Sequence, residues 1–320
     1  MPAENQLPTG LYEQLVDQEL GDLLANRPDL IATIVAIDDE SAPHTYSQFL
    51  AQLLHQALPI VRPEKRLAII NRLVALLSAE DGLDYTKRKQ LLCRTPNLLQ
   101  EIRTNDIGVP LHRPETSLRV SSLLTGSCDD PQLEHELRAE MMSADRVDIL
   151  VSFIKWSGLR LLVPAFDNLA ERGVVVRIIT TSYMGASDPE AIEWLASKRG
   201  FSIKVSYDTE RTRLHAKAYH FARKSGFSTA YIGSANMSRA AMTSGLEWTV
   251  KVTTQDMPHI MARFGAEFET YWSRDEFVLY DPSQPARFRN AIRFANRSDR
   301  DGEPMFFADI RPYPFQERIL

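Results

Sequence analysis

"LHAKAYHF", residues 214–221, reads as a strand. Successive side chains of a strand point to opposite faces. Leu214, Ala216, Ala218 and His220 therefore share one side, and His215, Lys217, Tyr219 and Phe221 share the other. An imidazole and an ammonium on one face is not an arrangement that packing requires; it suits a site that handles charge.

The surrounding sequence supplies a sheet for this strand. Upstream, "PQLEHELRAEMMSA" (131–144) is an amphipathic helix and "RVDILVSFI" (146–154) a β-branched run suited to a buried strand. The helix "SGLRLLVPAFDNLAERG" closes at Gly173, and "DPEAIEWLASKRG" closes at Gly200. "VVVRIITTS" and "FSIKVSYD" are the strands that follow them. Downstream come "STAYIGSANMS" (228–238) and "LEWTVKVTT" (246–254), two further strands, and then the helix "PHIMARFGAEFETYWS" (258–273). Strand and helix alternate in the first half and strands run consecutively in the second, which predicts a mixed α/β sheet flanked by helices. The loop "TTSYMGASDPE" (180–190) falls where such sheets often place ligand contacts.

Residues 10–105 have a different rhythm. "GLYEQLVDQELGDLLA", "TYSQFLAQLLHQAL" and "PEKRLAIINRLVALLSAE" repeat leucine and isoleucine at helical spacing. Thr45 or Ser47 is the expected N-cap of the second, and Pro63 opens the third. "TKRKQLLCRTPNLLQEI" (86–102) predicts one or two more helices. The expectation is a helical domain over 1–115, a linker over 116–130, an α/β domain over 131–285 and a second linker over 286–320.

The 320 residues carry 44% hydrophobic and 25% charged side chains and a net charge of −5, as ordinary globular chains do. No apolar run reaches the roughly 18 residues that cross a bilayer, and "MPAENQLPTG" has no secretory profile, so no membrane partner and a cytoplasmic location are expected. Cys93 and Cys128 stand far apart, outside any metal-binding pattern. Against the acidic balance, Arg211, Arg213, Lys217, Arg223 and Lys224 form a basic stretch without an acid, and the four besides Lys217 are candidate DNA contacts.

Three pieces fall on successive elements: His215 and Lys217 in "HAK", Gly233, Ser234 and Asn236 in "GSAN", and Glu247 in "GLEW". Lysine supplies a fixed positive charge, Ser and Asn supply neutral donors, and glycine allows close approach of a bulky anion. Several donors and a cation suit a phosphate better than a carbonyl. No Asp/Glu cluster stands ready for magnesium and no Cys/His set for zinc, so chemistry without a metal or other cofactor is expected.

"HAK", with "GSAN" beginning sixteen residues after Lys217, resembles the HxK…GSxN signature of the phospholipase D superfamily, over roughly 130–275. The acid that the superfamily places after the lysine and four further residues is absent, since Ala222 stands there. That departure fits the nuclease branch, where a later Glu joins the site, and Glu247 is placed for it. The run is also similar to phospholipase D-like domains that precede bacterial superfamily 2 helicases, and "DIRPYPFQERIL" (309–320) resembles the opening of a helicase core at Gln316. ATP would then bind only through a helicase region beyond this sequence, and a place in restriction or phage defence is what that architecture suggests.

The resemblance implies a metal-independent DNA phosphodiesterase. His215 is its nucleophile, forming a phosphohistidine; Lys217, Asn236 and Ser234 hold the phosphate oxygens; Glu247 orients the imidazole. One HxK per chain implies a homodimer with a composite site, the second His215 acting as general acid. The alternative is a non-catalytic DNA-binding and dimerisation module of a helicase. His220, on the other strand face, is expected in the core or at the surface and not in the site, and Trp156 and Trp194 are expected to pack rather than stack on bases.

Overall fold

The computed structural model describes residues 8–83, 86, 89–91, 97–102, 112–127, 129–207 and 214–301. The chain divides into two compact units, Met1–Ile102 and Arg103–Leu320.

The first unit holds three helices, α1 (Gln18–Ala25), α2 (Ala42–Ile60) and α3 (Pro63–Leu77). Asp17 caps α1 by accepting from the Leu20 N–H at 2.9 Å. Neither expected cap serves α2. Thr45 and Ser47 lie inside the helix, donating back to the carbonyls of Ser41 and Pro43. The helix starts earlier because Pro43 fits a first turn, and Asp38 takes up the free N–H groups of Glu40 and Ser41. Pro63 opens α3 as expected. The helices expected over 86–102 do not form at residues 89–91 or 97–102, and the rest of that stretch lies outside the described residues.

The second unit is built on one eight-stranded sheet. Its strands are β1 (Ser122–Leu124), β2 (Arg146–Leu150), β3 (Val175–Thr181), β4 (Phe201–Ser206), β5 (Lys217–Ala222), β6 (Thr229–Gly233), β7 (Thr249–Thr253) and β8 (Phe277–Leu279). Their order across the sheet is β1-β7-β6-β5-β2-β3-β4-β8. β2, β3 and β4 run parallel, and every other neighbouring pair is antiparallel, so the sheet is mixed. The helices are α4 (Leu133–Ser143), α5 (Trp156–Glu171), α6 (Pro189–Ala196), α7 (Pro258–Ser273) and α8 (Pro285–Asp301). Gly173 follows the C-cap of α5 at φ 67°, as expected; α6 ends sooner than expected, at Ala196, and Gly200, at φ 83°, makes the turn into β4.

The strand alternation sorts side chains into cores on both faces. Val147, Ile149, Val176, Ile178, Tyr219, Phe221 and Tyr231 pack with Leu137, Leu162, Phe166 and Ile192 of α4, α5 and α6. On the other face, Leu150, Ile179, Leu214 and Ala218 meet Phe268 of α7. Trp156 and Trp194 meet edge-to-face, centroids 6.1 Å apart, against the first core. Such two-sided burial, at about 25 cal/mol per Å² of apolar surface, makes the sheet a rigid frame.

Both stretches expected to be linkers carry structure. Residues 122–124 pair with β7, and α8 buries Phe288, Ile292 and Ala295, spaced at i, i+4 and i+7 in a helix otherwise rich in arginine.

Candidate phosphate site at one end of the sheet

Lys217, Gly233 and Thr249 lie in register across β5, β6 and β7. Only glycine fits the middle position. A Cβ on residue 233 would lie 2.2 Å from the Trp248 carbonyl oxygen and 2.8 Å from Thr249 Oγ1. Lys217 is 5% exposed, and its Nζ donates to the carbonyl oxygen of His215 at 2.6 Å. Burial pulls the ammonium below its ordinary range, and the nearby negative charge of Glu247 pulls it part of the way back.

The strand β6 continues into Ser234–Asn236. Asn236 Oδ1 accepts the N–H groups of Ser152 (3.0 Å) and Phe153 (3.2 Å), just beyond β2. This fixes the amide so that Nδ2, which has no protein partner among the described residues, is its free donor. Tyr219 supports the turn from below by donating to the Ala235 carbonyl oxygen at 3.1 Å. Burial first, and Glu247 second, push the Tyr219 phenol up, so it stays a neutral donor. The first turn of α5 is clamped here as well, since a Cβ on Gly158 would lie 2.6 Å from Ser238 Cα.

Glu247 accepts a short hydrogen bond from Ser234 Oγ. Its loop is held by the turn after β1: Gly126, at φ 70°, leaves only 2.5 Å between a would-be Cβ and the Gly245 carbonyl oxygen. His215 precedes β5 instead of belonging to it. The residue is exposed, and its imidazole makes no hydrogen bond or ion pair among the described residues. The expected His215–Glu247 pairing is therefore not made within one chain; the carboxylate engages Ser234.

His215, Lys217, Ser234, Asn236 and Glu247 are thus gathered at one end of the sheet. The expected DNA contacts are not. Arg211 and Arg213 lie outside the described residues. Arg223 corrects its expectation: the guanidinium is buried, ion-paired with Glu140 and bonded to Ser143 Oγ and the Phe227 carbonyl, so it cannot reach a solvent-borne phosphate. Lys224 is exposed, but at about 3.3 Å per residue β5 carries it roughly 20 Å from Lys217. Of the two places open to His220, core or surface, it takes the core: it is buried, its Nδ1 3.2 Å from Asp148 Oδ2. The 180–190 loop braces the site instead of opening onto it, since Ser187 Oγ accepts from the Ile154 N–H and Asp188 from that of Trp156. Lys155 pairs with Asp188. Single-letter patterning gives no signal for Tyr219, whose hydroxyl meets a main-chain carbonyl, or for the Ser152 and Phe153 amides, which are main-chain groups themselves. The stretch 309–320, with its resemblance to a helicase core, lies outside the described residues.

Residues 137–272 match the family described as "Cardiolipin synthase, PLD-like domain". This stretch, under half of the chain, is similar to phospholipase D-like domains. The domain is similar to NucT from Helicobacter pylori, at 19% identity and a TM-score of 0.41, over 50% of this chain and 99% of that one. It is similar to Nuc from Salmonella typhimurium, a phospholipase D family member, at 21% identity and a TM-score of 0.39, again over 50% and 99%. Phosphatidylserine synthase from Haemophilus influenzae Rd KW20 is similar at 12% identity and a TM-score of 0.37, over 68% of this chain and 51% of that one. No curated protein matches the chain in sequence. Among the described residues, no helix is long and apolar enough to cross a membrane, and no three His, Cys, Asp or Glu side chains are grouped to hold a metal ion.

Proposed function

We propose that the phospholipase D-like domain hydrolyses phosphodiester bonds of DNA by covalent catalysis at His215. The observation that carries this reading is the exposed, unencumbered imidazole beside a buried ammonium and an amide whose free donor is fixed by its own hydrogen bonds. The donors fit the non-bridging oxygens of a phosphate, where negative charge is held as the reaction proceeds.

In the first step a ring nitrogen of His215 attacks phosphorus, the P–N bond forms and the P–O bond to the leaving strand breaks. The leaving oxygen takes a proton from a second imidazole. That imidazole, now neutral, takes a proton from water, whose oxygen attacks phosphorus and breaks the P–N bond. Lys217 Nζ and Asn236 Nδ2 hold the oxygens throughout, and Ser234 shares its hydroxyl between Glu247 and the phosphate.

The second imidazole is His215 of another copy. An exposed apolar strip beside the site supports this: Leu123 and Val250 are paired in register, and Trp248 and Leu246, 63% and 82% exposed, continue at alternate positions around Glu247. Such a strip at a site that needs a twofold mate fits an isologous contact. Trp248→Glu is expected to yield monomers by sedimentation and to abolish cleavage together with dimerisation. An active monomer would end the composite-site reading.

The direct test is incubation of the purified protein with plasmid and oligonucleotides in excess chelator, with phosphatidylglycerol vesicles as the parallel substrate. DNA cleavage without metal supports the reading. Activity on the lipid alone assigns the site to the other substrate class, and DNA cleavage that requires Mg²⁺ overturns the mechanism.

A further inference from the structure

A cavity of about 300 Å³ adjoins the phosphate site. Leu124, Leu133, Ala241 and Met242 line it with apolar surface, and Glu247 and Asp130 line it with carboxylates. Thr249, 3% exposed, also lines it, and its Oγ1 is buried without a hydrogen-bond partner among the described residues. Leu124, Thr249, Gly233 and Lys217 form one row across four strands, on one face of the sheet. At about 4.8 Å per strand, Thr249 stands roughly 10 Å from Lys217. The residue between them has no side chain, and the Thr249 hydroxyl leans over it, 2.8 Å from where its Cβ would be.

We propose that this cavity receives the nucleoside next to the phosphate that is cleaved. The inference rests on the phosphodiesterase reading above and names the part of the substrate that the second pocket holds. A phosphate does not belong in the cavity: hydrogen bonds from Thr125 keep the Asp130 carboxyl below its ordinary range, so the wall stays negative. The occupant is neutral, attached to a phosphate two strands away, apolar on its faces and polar at its edge. A sugar and base meet all four demands. An acyl chain would leave the Thr249 hydroxyl without a partner and would lie against two carboxylates. The volume is at the small end of ligand pockets, enough for one nucleoside and not for a stacked pair. A nucleoside inserted here has left its stack, so single strands and frayed ends are the preferred substrates.

The test compares esters that share one leaving group: thymidine 3′- and 5′-(p-nitrophenyl phosphate) against methyl p-nitrophenyl phosphate, with the whole chain. The wild type is expected to favour one nucleoside ester by at least about tenfold in kcat/KM, the effect of one good hydrogen bond and partial burial. Thr249→Val and Ala241→Phe are expected to erase that preference while the methyl ester is hydrolysed as before, which also reports that both variants are folded. A wild type that hydrolyses the three esters alike, or variants that keep the preference, would overturn the nucleoside pocket and leave the phosphodiesterase reading standing. A wild type inactive on all three overturns both.

Discussion

The two ends of β5 carry the same kinds of residue and use them in opposite ways. At one end Lys217 is buried but keeps protons free beyond its bond to a backbone carbonyl, next to an imidazole that has no partner among the described residues. At the other end Arg223 spends its guanidinium on Glu140, Ser143 and Phe227. There Lys251 joins Glu140 at 2.9 Å, and the Tyr231 hydroxyl, 3.0 Å from a carboxylate oxygen of both Glu136 and Glu140, shares its one proton between them, closing a buried polar network. A basic residue is a candidate for ligand binding when its hydrogen-bonding capacity is left over, and a structural one when the fold has consumed it.

The difference is broken most sharply by His215→Ala. Because the imidazole is exposed and unbonded, the melting temperature should not move, while kcat/KM on oligonucleotides should fall by roughly 10³-fold or more. An equal rate from the variant would remove His215 from the chemistry. Arg223→Met should do the reverse. Removing one partner of a buried pair costs about 3–5 kcal/mol, to be read from chemical denaturation, with the specific activity of the folded fraction unchanged. The same network sets an acid limit. Arg223 and Lys251 outweigh the burial that opposes ionisation and hold the Glu140 carboxyl below its ordinary range, so their stabilisation is present above that range and is lost as pH falls through the lowered value.

A subtler change sharpens the picture at the Lys217 end. With a lowered pKa the buried ammonium loses its proton earlier than an exposed lysine would, so the alkaline limb of kcat/KM should lie below the usual lysine range. Between that value and the unfolded one the unfolded chain binds more protons, and stability should rise with pH through the window. Glu247→Gln removes the charge that supports the ammonium and should displace the limb to lower pH, with a smaller loss of rate than His215→Ala. An unmoved limb would separate the two groups. The smallest effect belongs to Lys224→Ala, whose side chain is exposed at the far end: less than about 0.5 kcal/mol in stability and no change in cleavage.

The sheet was legible because its strands alternate and because Gly173 and Gly200, both at positive φ, mark the turns into β3 and β4. "HAK" and "GSAN" pointed to the candidate site because glycine at 233 and the paired polar residues leave a signature in spacing. What the sequence hid has physical reasons. β1 is three residues long and owes its conformation to β7, and α8, among its described side chains, buries the apolar Phe288, Ile292 and Ala295 between arginines. Arg223 could not be told from Lys224 by charge, since burial is decided by Glu140 on another element. The Asn236 amide is set by Ser152 and Phe153 N–H groups eighty-odd positions away, which no local pattern records.

The pairing of β1 with β7 also dictates when the site can exist during synthesis. Ser122 meets Lys251, and Leu124 meets Thr249, so the strand made first among the eight waits for the last of the central ones. At about 5–20 residues per second, that wait is on the order of ten seconds on a ribosome. His215 and Lys217 emerge within it, but Glu247, the Trp248 carbonyl that receives the Ser234 N–H, and the apolar strip for a second copy emerge at its end. His215 precedes Glu247 by 32 residues, about two to six seconds of synthesis, and for that interval the chain carries the histidine without the residues that gather beside it.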